Sequence, residues 1–335
     1  MINRTISVAP MMDRSDRHFR FLTRTLAPHA LLYTEMLTAR ALLRGDASRL
    51  LRFDATEHPV ALQVGGSDPA ELAGAARLGE LAGYDEINLN VGCPSDRVQA
   101  GCFGAALMLD AGRVADCVAA MRDAVALPVT VKTRLGVDEH DSYEFLAAFI
   151  RRVAAGGCET FIVHARKAWL SGLSPKQNRE IPPLDYPRVH RLKRDFPELR
   201  IVINGGLVDR DAVLAQLERV DGAMLGRAAY QNPWLVADLD RTLCGGRAAP
   251  TLERVLERYL VYIERELAAG TPLRSMIRHL LALQTGLPGG RRWRRALSEL
   301  PDGRAGLVRL HEIAAQTDAH SENGGVELGV AYVLG

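Results

Sequence analysis

The 335-residue sequence lacks the Cys-x-x-Cys pairs and histidine spacings from which zinc sites are built. Its five cysteines, Cys93, Cys102, Cys117, Cys158 and Cys244, are odd in number, which fits free thiols in a reducing compartment better than a disulfide framework. No apolar run approaches the roughly 20 residues that span a bilayer, and the opening MINRTISVAPMMDR is too polar for a signal peptide. Net charge is scarce: 42 Lys and Arg stand against 40 Asp and Glu, a formal +2. A nucleic acid would therefore be met by a local patch, not by a globally basic surface. Fixed-period repeats and low-complexity segments are missing, and no Gly-x-Gly-x-x-Gly follows the first strand to mark a dinucleotide fold. These absences lead us to expect a cytoplasmic protein with no membrane, no metal and no obligatory protein partner. What is abundant is apolar: 47% of residues are hydrophobic, enough for a sizeable core. The length fits one large domain with a smaller one.

Short β-rich runs alternate with amphipathic stretches through the first two-thirds. Strands are expected at Ile6–Pro10, Leu31–Met36, Val60–Val64, Glu86–Val91, Val129–Arg134, Phe161–Ala165, Ile201–Asn204 and Ala223–Gly226. Helices are expected at Ser15–Thr25, Pro69–Leu81, Arg113–Val125, Ser142–Ala154, Tyr186–Phe196 and Asp209–Gln216, several opened by Ser, Asp or Pro. Nearly all-apolar strands suit a sheet buried on both faces. Eight strands alternating with helices predict a (βα)8 TIM barrel, with an open doubly wound sheet as the competitor. After Trp234 the strand signals stop. Leu252–Ala269, Leu273–Thr285 and Arg304–Gln316 read as helices. The expected organisation is a barrel over 1–243, a C-terminal all-helical domain over 244–318 and a flexible tail over 319–335.

The active site of such a barrel lies at the C-terminal strand ends. Here those ends carry Pro10-Met11-Met12, Glu35, Gln63, Asn88-Leu89-Asn90-Val91-Gly92-Cys93-Pro94, Lys132 with Arg134, His164-Ala165-Arg166, Asn204-Gly205-Gly206 and Gly226-Arg227. Polar groups converging on one rim cost free energy unless they are paired or used. The glycines after strands seven and eight suit a phosphate, with Arg227 as a charged contact. Singly, each would be an ordinary turn. Lys132, mid-strand, calls for an anionic partner, which a flavin ring supplies; Gln63 and His164 could bond its other polar atoms. Taken alone, a histidine such as His164 is more often a satisfied core residue. Cys93, between Gly92 and Pro94 just past strand four, is placed to act as nucleophile or proton donor. The other cysteines look bland.

At these residues the chain resembles the tRNA-dihydrouridine synthase family, over about residues 5 to 315. The motifs are Ala9-Pro10-Met11-Met12-Asp13, Glu35-Met36, Gln63-Val64-Gly65-Gly66, Asn88 to Pro94, Val131-Lys132-Thr133-Arg134, His164-Ala165-Arg166, Asn204-Gly205-Gly206 and Met224-Leu225-Gly226-Arg227. Gly172 to Leu184 and Asp13 to Arg20 look like its A-type bacterial subfamily. The resemblance implies an FMN enzyme, reduced by NADPH, that reduces the C5–C6 bond of uridine in the tRNA D-loop at positions 20 and 20a. It implies hydride delivery from the flavin to carbon 6 and a proton from Cys93 to carbon 5. It places Pro10, Met11, Met12, Gln63, Lys132, His164, Asn204, Gly205, Gly206, Gly226 and Arg227 at the flavin, and Asn90, Arg166, Lys176 and Arg179 at RNA. Hydride addition at carbon 6 builds enolate charge that a nearby acid must quench, and thiols as a class are protonated enough at neutral pH to serve. The base must also leave the tRNA fold to be reached.

Two basic clusters fit that substrate. Arg291-Arg292-Trp293-Arg294-Arg295 groups four arginines around a tryptophan, with Arg292, Arg294 and Arg295 as candidate phosphate contacts. Arg166, Lys167, Lys176 and Arg179 form the second. A charge run alone is more often a solvated face. Two other functions compete. A barrel flavoenzyme acting on a free pyrimidine or other small molecule leaves the arginine-rich helical domain unexplained. A non-catalytic RNA-binding protein leaves Cys93 and the glycines idle.

Overall fold

We describe a computed structural model covering residues 2–95, 101, 103–245 and 248–321, with side chains to 316. Cys102 and the tail over 322–335 lie outside the described residues. Contacts divide the chain into two compact units, Met1–Arg17 with Ala30–Gly226, and His18–His29 with Arg227–Gly335.

The first unit is a closed parallel barrel. Its strands are β1 Ile6–Val8, β2 Leu31–Tyr33, β3 Leu37–Thr38, β4 Val60–Gly65, β5 Glu86–Val91, β6 Val129–Arg134, β7 Thr160–His164, β8 Arg200–Asn204 and β9 Gly222–Leu225. The two-residue β3 is an offshoot pairing with the end of β4. The other eight are staves, closed by β1 on β9 and by β2 on β4, which excludes the open sheet. The expected strands match these within one or two residues at most ends, because each is an apolar run between turn residues. The exception is Leu31–Met36, which stops at Tyr33. Asp caps with Pro in the first turn start Pro69–Leu81 and Tyr186–Asp195 where expected.

The strands alternate strictly. Ala9, Leu31, Tyr33, Ala61, Ile162, Val202 and Met224 fill the barrel interior as one apolar cluster. On β5 and β6 the inward positions are instead polar: Glu86, Asn88 and Asn90, then Thr130, Lys132 and Arg134. This is a departure from the apolar interior that the sheet's overall hydrophobicity suggests. Glu86 is fully buried and ion-paired to Arg4, whose Nε lies 3.1 Å from Oε2. Tyr33 OH and Thr130 Oγ1 both donate to Glu86 Oε1, at 2.7 and 2.6 Å. Burial and the neighbouring carboxylate push the Tyr33 phenol well above its usual range.

The second unit is helical, and its core is aromatic and aliphatic. Leu22 and Leu26 of the helix Arg17–Leu26 join Val255, Tyr259, Tyr262, Met276 and Trp293 in one cluster. Phe21 stacks on Tyr262 at 4.0 Å between ring centroids. The helix expected over Leu273–Thr285 breaks into Leu273–Ile277 and a short 3₁₀ turn, Leu280–Ala282. Tyr259 OH donates to Met276 O, Trp293 Nε1 to Leu280 O and Trp234 Nε1 to Leu283 O. These side chains take up carbonyls that a continuous helix would bond for itself. The helices Pro233–Leu243 and Gly290–Ser298 were not expected. The last helix, Gly303–Ser321, runs longer than the expected Arg304–Gln316. No described helix is long and apolar enough to cross a membrane.

Candidate active site at the barrel rim

The polar interior of β5 and β6 forms a column that climbs to the rim. Asn88 Nδ2 donates to Thr130 Oγ1 at 2.8 Å, and Gln63 Nε2 donates to Asn88 Oδ1 at 2.8 Å. Asn90 Nδ2 donates to Gln63 Oε1 at 2.9 Å. At its top, Asn90 Oδ1 accepts the backbone N–H groups of Gly92 and Cys93, at 3.1 and 3.0 Å. Each buried polar atom along this run meets a partner, so the column is affordable and stiff. It ends on the turn that carries the candidate proton donor.

Cys93 is part-exposed, and its Sγ lies 3.6 Å from Ser95 Oγ. Cys117 and Cys158 contrast with it. Both are buried in the barrel wall, and desolvation pushes their thiols to about 12. Cys244 sits at the end of Pro233–Leu243 in the second unit.

Around the mouth, Lys132 Nζ donates to Asn204 Oδ1 at 3.0 Å, and Asn204 Nδ2 is anchored to Met224 O at 2.7 Å. No carboxylate pairs with Lys132 among the described residues. Burial first, then the Arg134 charge, lowers its ammonium to about 7. His164, 9% exposed, is pushed well below its usual range by burial and then by Arg134 and Lys132, so its ring is neutral at pH 7. Arg134 falls to about 10 through burial and stays a cation. The inner rim therefore carries Arg134 and, when protonated, Lys132 with no carboxylate paired to either among the described residues, a setting that favours an anionic ligand.

The glycines differ among themselves. Gly205 and Gly206 have φ of 108° and 69°, which L side chains rarely adopt. A Cβ on Gly205 would meet His164 Cδ2 at 2.6 Å, and one on Gly206 would meet Leu184 Cδ1 at 2.4 Å. At Gly226 a Cβ would meet only Ala9 Cβ, at 4.0 Å, so the space before it is open. On the β1 side, Met12 is 57% exposed, Pro10 and Met11 are half-buried, and Ser15 Oγ holds the Met11 N–H at 2.8 Å.

The RNA candidates divide. Asn90 is 8% exposed and its amide is engaged by Gln63 and the Cys93 turn. Arg166 reaches the carbonyls of Pro182 and Glu180 in its own loop. Lys176 and Arg179 are exposed on that loop. In the second unit, Arg292, Arg294 and Arg295 are exposed on Gly290–Ser298, with Arg295 paired to Glu299 at 2.8 Å. Trp293 is 4% exposed and faces the core, so it offers no stacking platform. Arg227 is exposed and opens the short helix Arg227–Gln231 of the second unit.

Sequence reasoning gave no role to Arg134, Asn178, Arg4 or Glu86. The signal for the barrel members was the period-two polar alternation of Glu86-Ile87-Asn88-Leu89-Asn90 and Thr130-Val131-Lys132-Thr133-Arg134. Nothing local marks Asn178, whose partners Trp169 and Leu173 are set by how its own loop folds back.

Comparison with known proteins identifies the family. Residues 7–319 match the family model described as dihydrouridine synthase (Dus). The chain is 53% identical over 317 residues to the tRNA-dihydrouridine(20/20a) synthase of Shewanella oneidensis, covering 94% of each chain. It is 59% identical over 297 residues to the protein of that description from Escherichia coli (strain K12), covering 88% of this chain and 85% of the relative. For the Vibrio cholerae counterpart the identity is 56% over 297 residues, covering 88% and 90%. The chain belongs to the dihydrouridine synthase family of flavin-dependent oxidoreductases.

Proposed function

We propose that this chain reduces the C5–C6 double bond of uridine in the D-loop of transfer RNA, at positions 20 and 20a, with FMN as its flavin and NADPH as the electron donor. The observation that supports this most directly is the rim itself. A half-buried lysine without a carboxylate partner, a neutral histidine and a part-exposed cysteine stand at the ends of neighbouring staves.

The donor set fits FMN. Lys132 supplies a cation for the electron-rich edge of a flavin ring, while Asn204 and His164 supply polar atoms around it. Gln63 keeps one amide hydrogen and one lone pair beyond its bonds to Asn88 and Asn90. Gly205 and Gly206 turn the chain after β8 at positive φ, Gly226 after β9 faces open space, and these two strand ends suit a single phosphate, with Arg227 following directly in the chain. Pro10, Met11 and Met12 offer an apolar wall. FMN bound there supplies the hydride that adds to carbon 6 of the uracil.

The chain's own residues do the remainder. The Cys93 thiol gives its proton to carbon 5, quenching the enolate charge that builds on the ring. Asn90 fixes the turn on which that thiol sits. Lys176 and Arg179, and separately Arg292, Arg294 and Arg295, offer phosphate contacts to RNA. The helical unit carrying those three arginines favours a polymer over a free pyrimidine as substrate. Incubating the holoenzyme with NADPH and either unmodified tRNA or free uridine tests this. Dihydrouridine at D-loop positions by mass spectrometry is expected with tRNA alone. Turnover of free uridine at the tRNA rate would overturn it. Heat release of the flavin should give FMN on chromatography, and FAD would contradict the single phosphate site.

A further inference from the structure

Arg134 sits at the end of β6 with its side chain inside the rim, 3% exposed. Among the described residues no carboxylate pairs with it. Three main-chain carbonyls receive it instead: Nε donates to Gly92 O at 2.8 Å, and Nη1 donates to Lys167 O and to Asn178 O, both at 3.0 Å. Gly92 immediately precedes Cys93. Lys167 and Asn178 belong to the long loop after β7, which presents Lys176 and Arg179. One planar cation thus ties the cysteine turn to the basic loop.

Both tied segments are themselves stiff. Asn90 holds the N–H groups of Gly92 and Cys93, so Arg134 takes the carbonyl side of a turn whose donor side is already fixed. Asn178 is fully buried, and its amide bonds the N–H and carbonyl of Trp169 and the carbonyl of Leu173, closing the loop on itself. Asp138 Oδ1 accepts the Leu170 N–H at 2.8 Å, and Lys167 pairs with Asp141 at 2.9 Å. A fork of donors that bridges two stiff bodies transmits position from one to the other. A lysine, a point donor, could reach one carbonyl and would release the rest.

We infer that Arg134 is a positioning residue for the proton-delivery step: by bonding Gly92, Lys167 and Asn178 it holds the Cys93 thiol in register with the loop that receives RNA. This rests on the reading of Cys93 as proton donor. The charge needed for the tie persists through the working pH range, since Arg134 titrates near 10.

The test is a double-mutant cycle on the flavin-loaded protein with Arg134→Lys, Cys93→Ala and the pair. The readout is reoxidation of pre-reduced enzyme at saturating unmodified tRNA, with tRNA affinity measured alongside. Arg134→Lys is expected to slow reoxidation by about 10- to 100-fold, the scale of a small misplacement of reacting groups, and to weaken tRNA binding severalfold. In the Cys93→Ala background the same change should slow reoxidation less than about twofold, because the group it positions is gone. Equal losses in both backgrounds would overturn the inference while leaving the role of Cys93 intact. Wild-type reoxidation by Cys93→Ala would sink the role of Cys93 and the inference with it. Should Arg134→Lys fail to retain flavin, Arg134→Gln, which keeps a planar donor, enters the same cycle with the same two expectations.

Discussion

The barrel unit and the helical unit both bury polar side chains, and they do so to different ends. In the helical unit the buried aromatic donors close on neighbours. Tyr259, Trp293 and Trp234 meet main-chain carbonyls, and His18 Nδ1 lies 2.7 Å from Tyr262 OH. Those bonds shape the fold and finish there. In the barrel the chain of bonds starts at a buried ion pair, Arg4 with Glu86, passes through Thr130, Asn88, Gln63 and Asn90, and ends on the Cys93 turn. Beside its end stands Lys132 with a single amide oxygen for company. Burying polar groups costs free energy in both units. One unit recovers that cost within itself, and the other leaves a cation to be matched by a ligand.

The largest expected effect of breaking this contrast lies at the foot of the column. Glu86→Ala leaves Arg4 buried without its partner and should destabilise the barrel by about 3–5 kcal/mol in denaturant unfolding. A loss under about 1 kcal/mol would show that the column is not a structural spine. The next concerns Lys132. Its ammonium is depressed from 10.5 to about 7 in the fold, so the folded state sheds a proton that the unfolded chain keeps. The charge therefore costs stability below pH 7, and the cost fades as pH rises towards 10.5. Flavin-free Lys132→Met should be more stable than flavin-free wild type at pH 6, by at most about 5 kcal/mol, with the gap closing by pH 10. Thermal melts across pH check this, and a gap that widens with pH would reverse the argument.

Smaller effects belong to the helical unit. Trp293→Phe removes the donor to Leu280 O and should cost about 1–3 kcal/mol, as an unsatisfied buried carbonyl does. Flavin content should not change. Least of all, Arg292→Ala, Arg294→Ala and Arg295→Ala together should move stability by roughly 0.5 kcal/mol or less, since they are exposed. Their effect should appear in tRNA binding, whose log–log salt slope should flatten by up to about 3. An unchanged slope would make the patch ordinary solvated surface.

The two units also differ in how much of them the sequence discloses. Barrel strands such as Glu86–Val91 and Val129–Arg134 match the structure residue for residue, because apolar runs between turn residues leave one solution. The rim residues were legible for the same reason: strand ends fix where Gln63, Lys132, His164 and Asn204 stand. What escaped was pairing across distance. That Arg4 meets Glu86, or Arg134 meets Asn178, depends on the register of staves and the return of a loop. Local pattern carries neither. In the helical unit the break after Ile277 escaped because it is imposed by Tyr259, Trp293 and Trp234 from other segments. The helix Gly290–Ser298 hid behind its two leading glycines, the first of which sits at φ 83° as its cap. That His18–His29 joins the C-terminal helices rests on where Leu22 and Leu26 are buried, which no pattern within that segment reveals.

The central claim, that the polar column delivers a proton donor to a flavin-and-RNA rim, meets its most direct test at Cys93. Pre-reduced Cys93→Ala, mixed with unmodified tRNA and followed by flavin absorbance in a single turnover, should reoxidise about 10²–10⁴-fold more slowly than wild type, the worth of a positioned general acid. The same variant should bind FMN and accept electrons from NADPH as wild type does, because the thiol acts only after hydride transfer. Cys244→Ala, a change in the helical unit, should reoxidise normally. Reoxidation of Cys93→Ala at the wild-type rate would contradict the account and assign the proton to another rim residue.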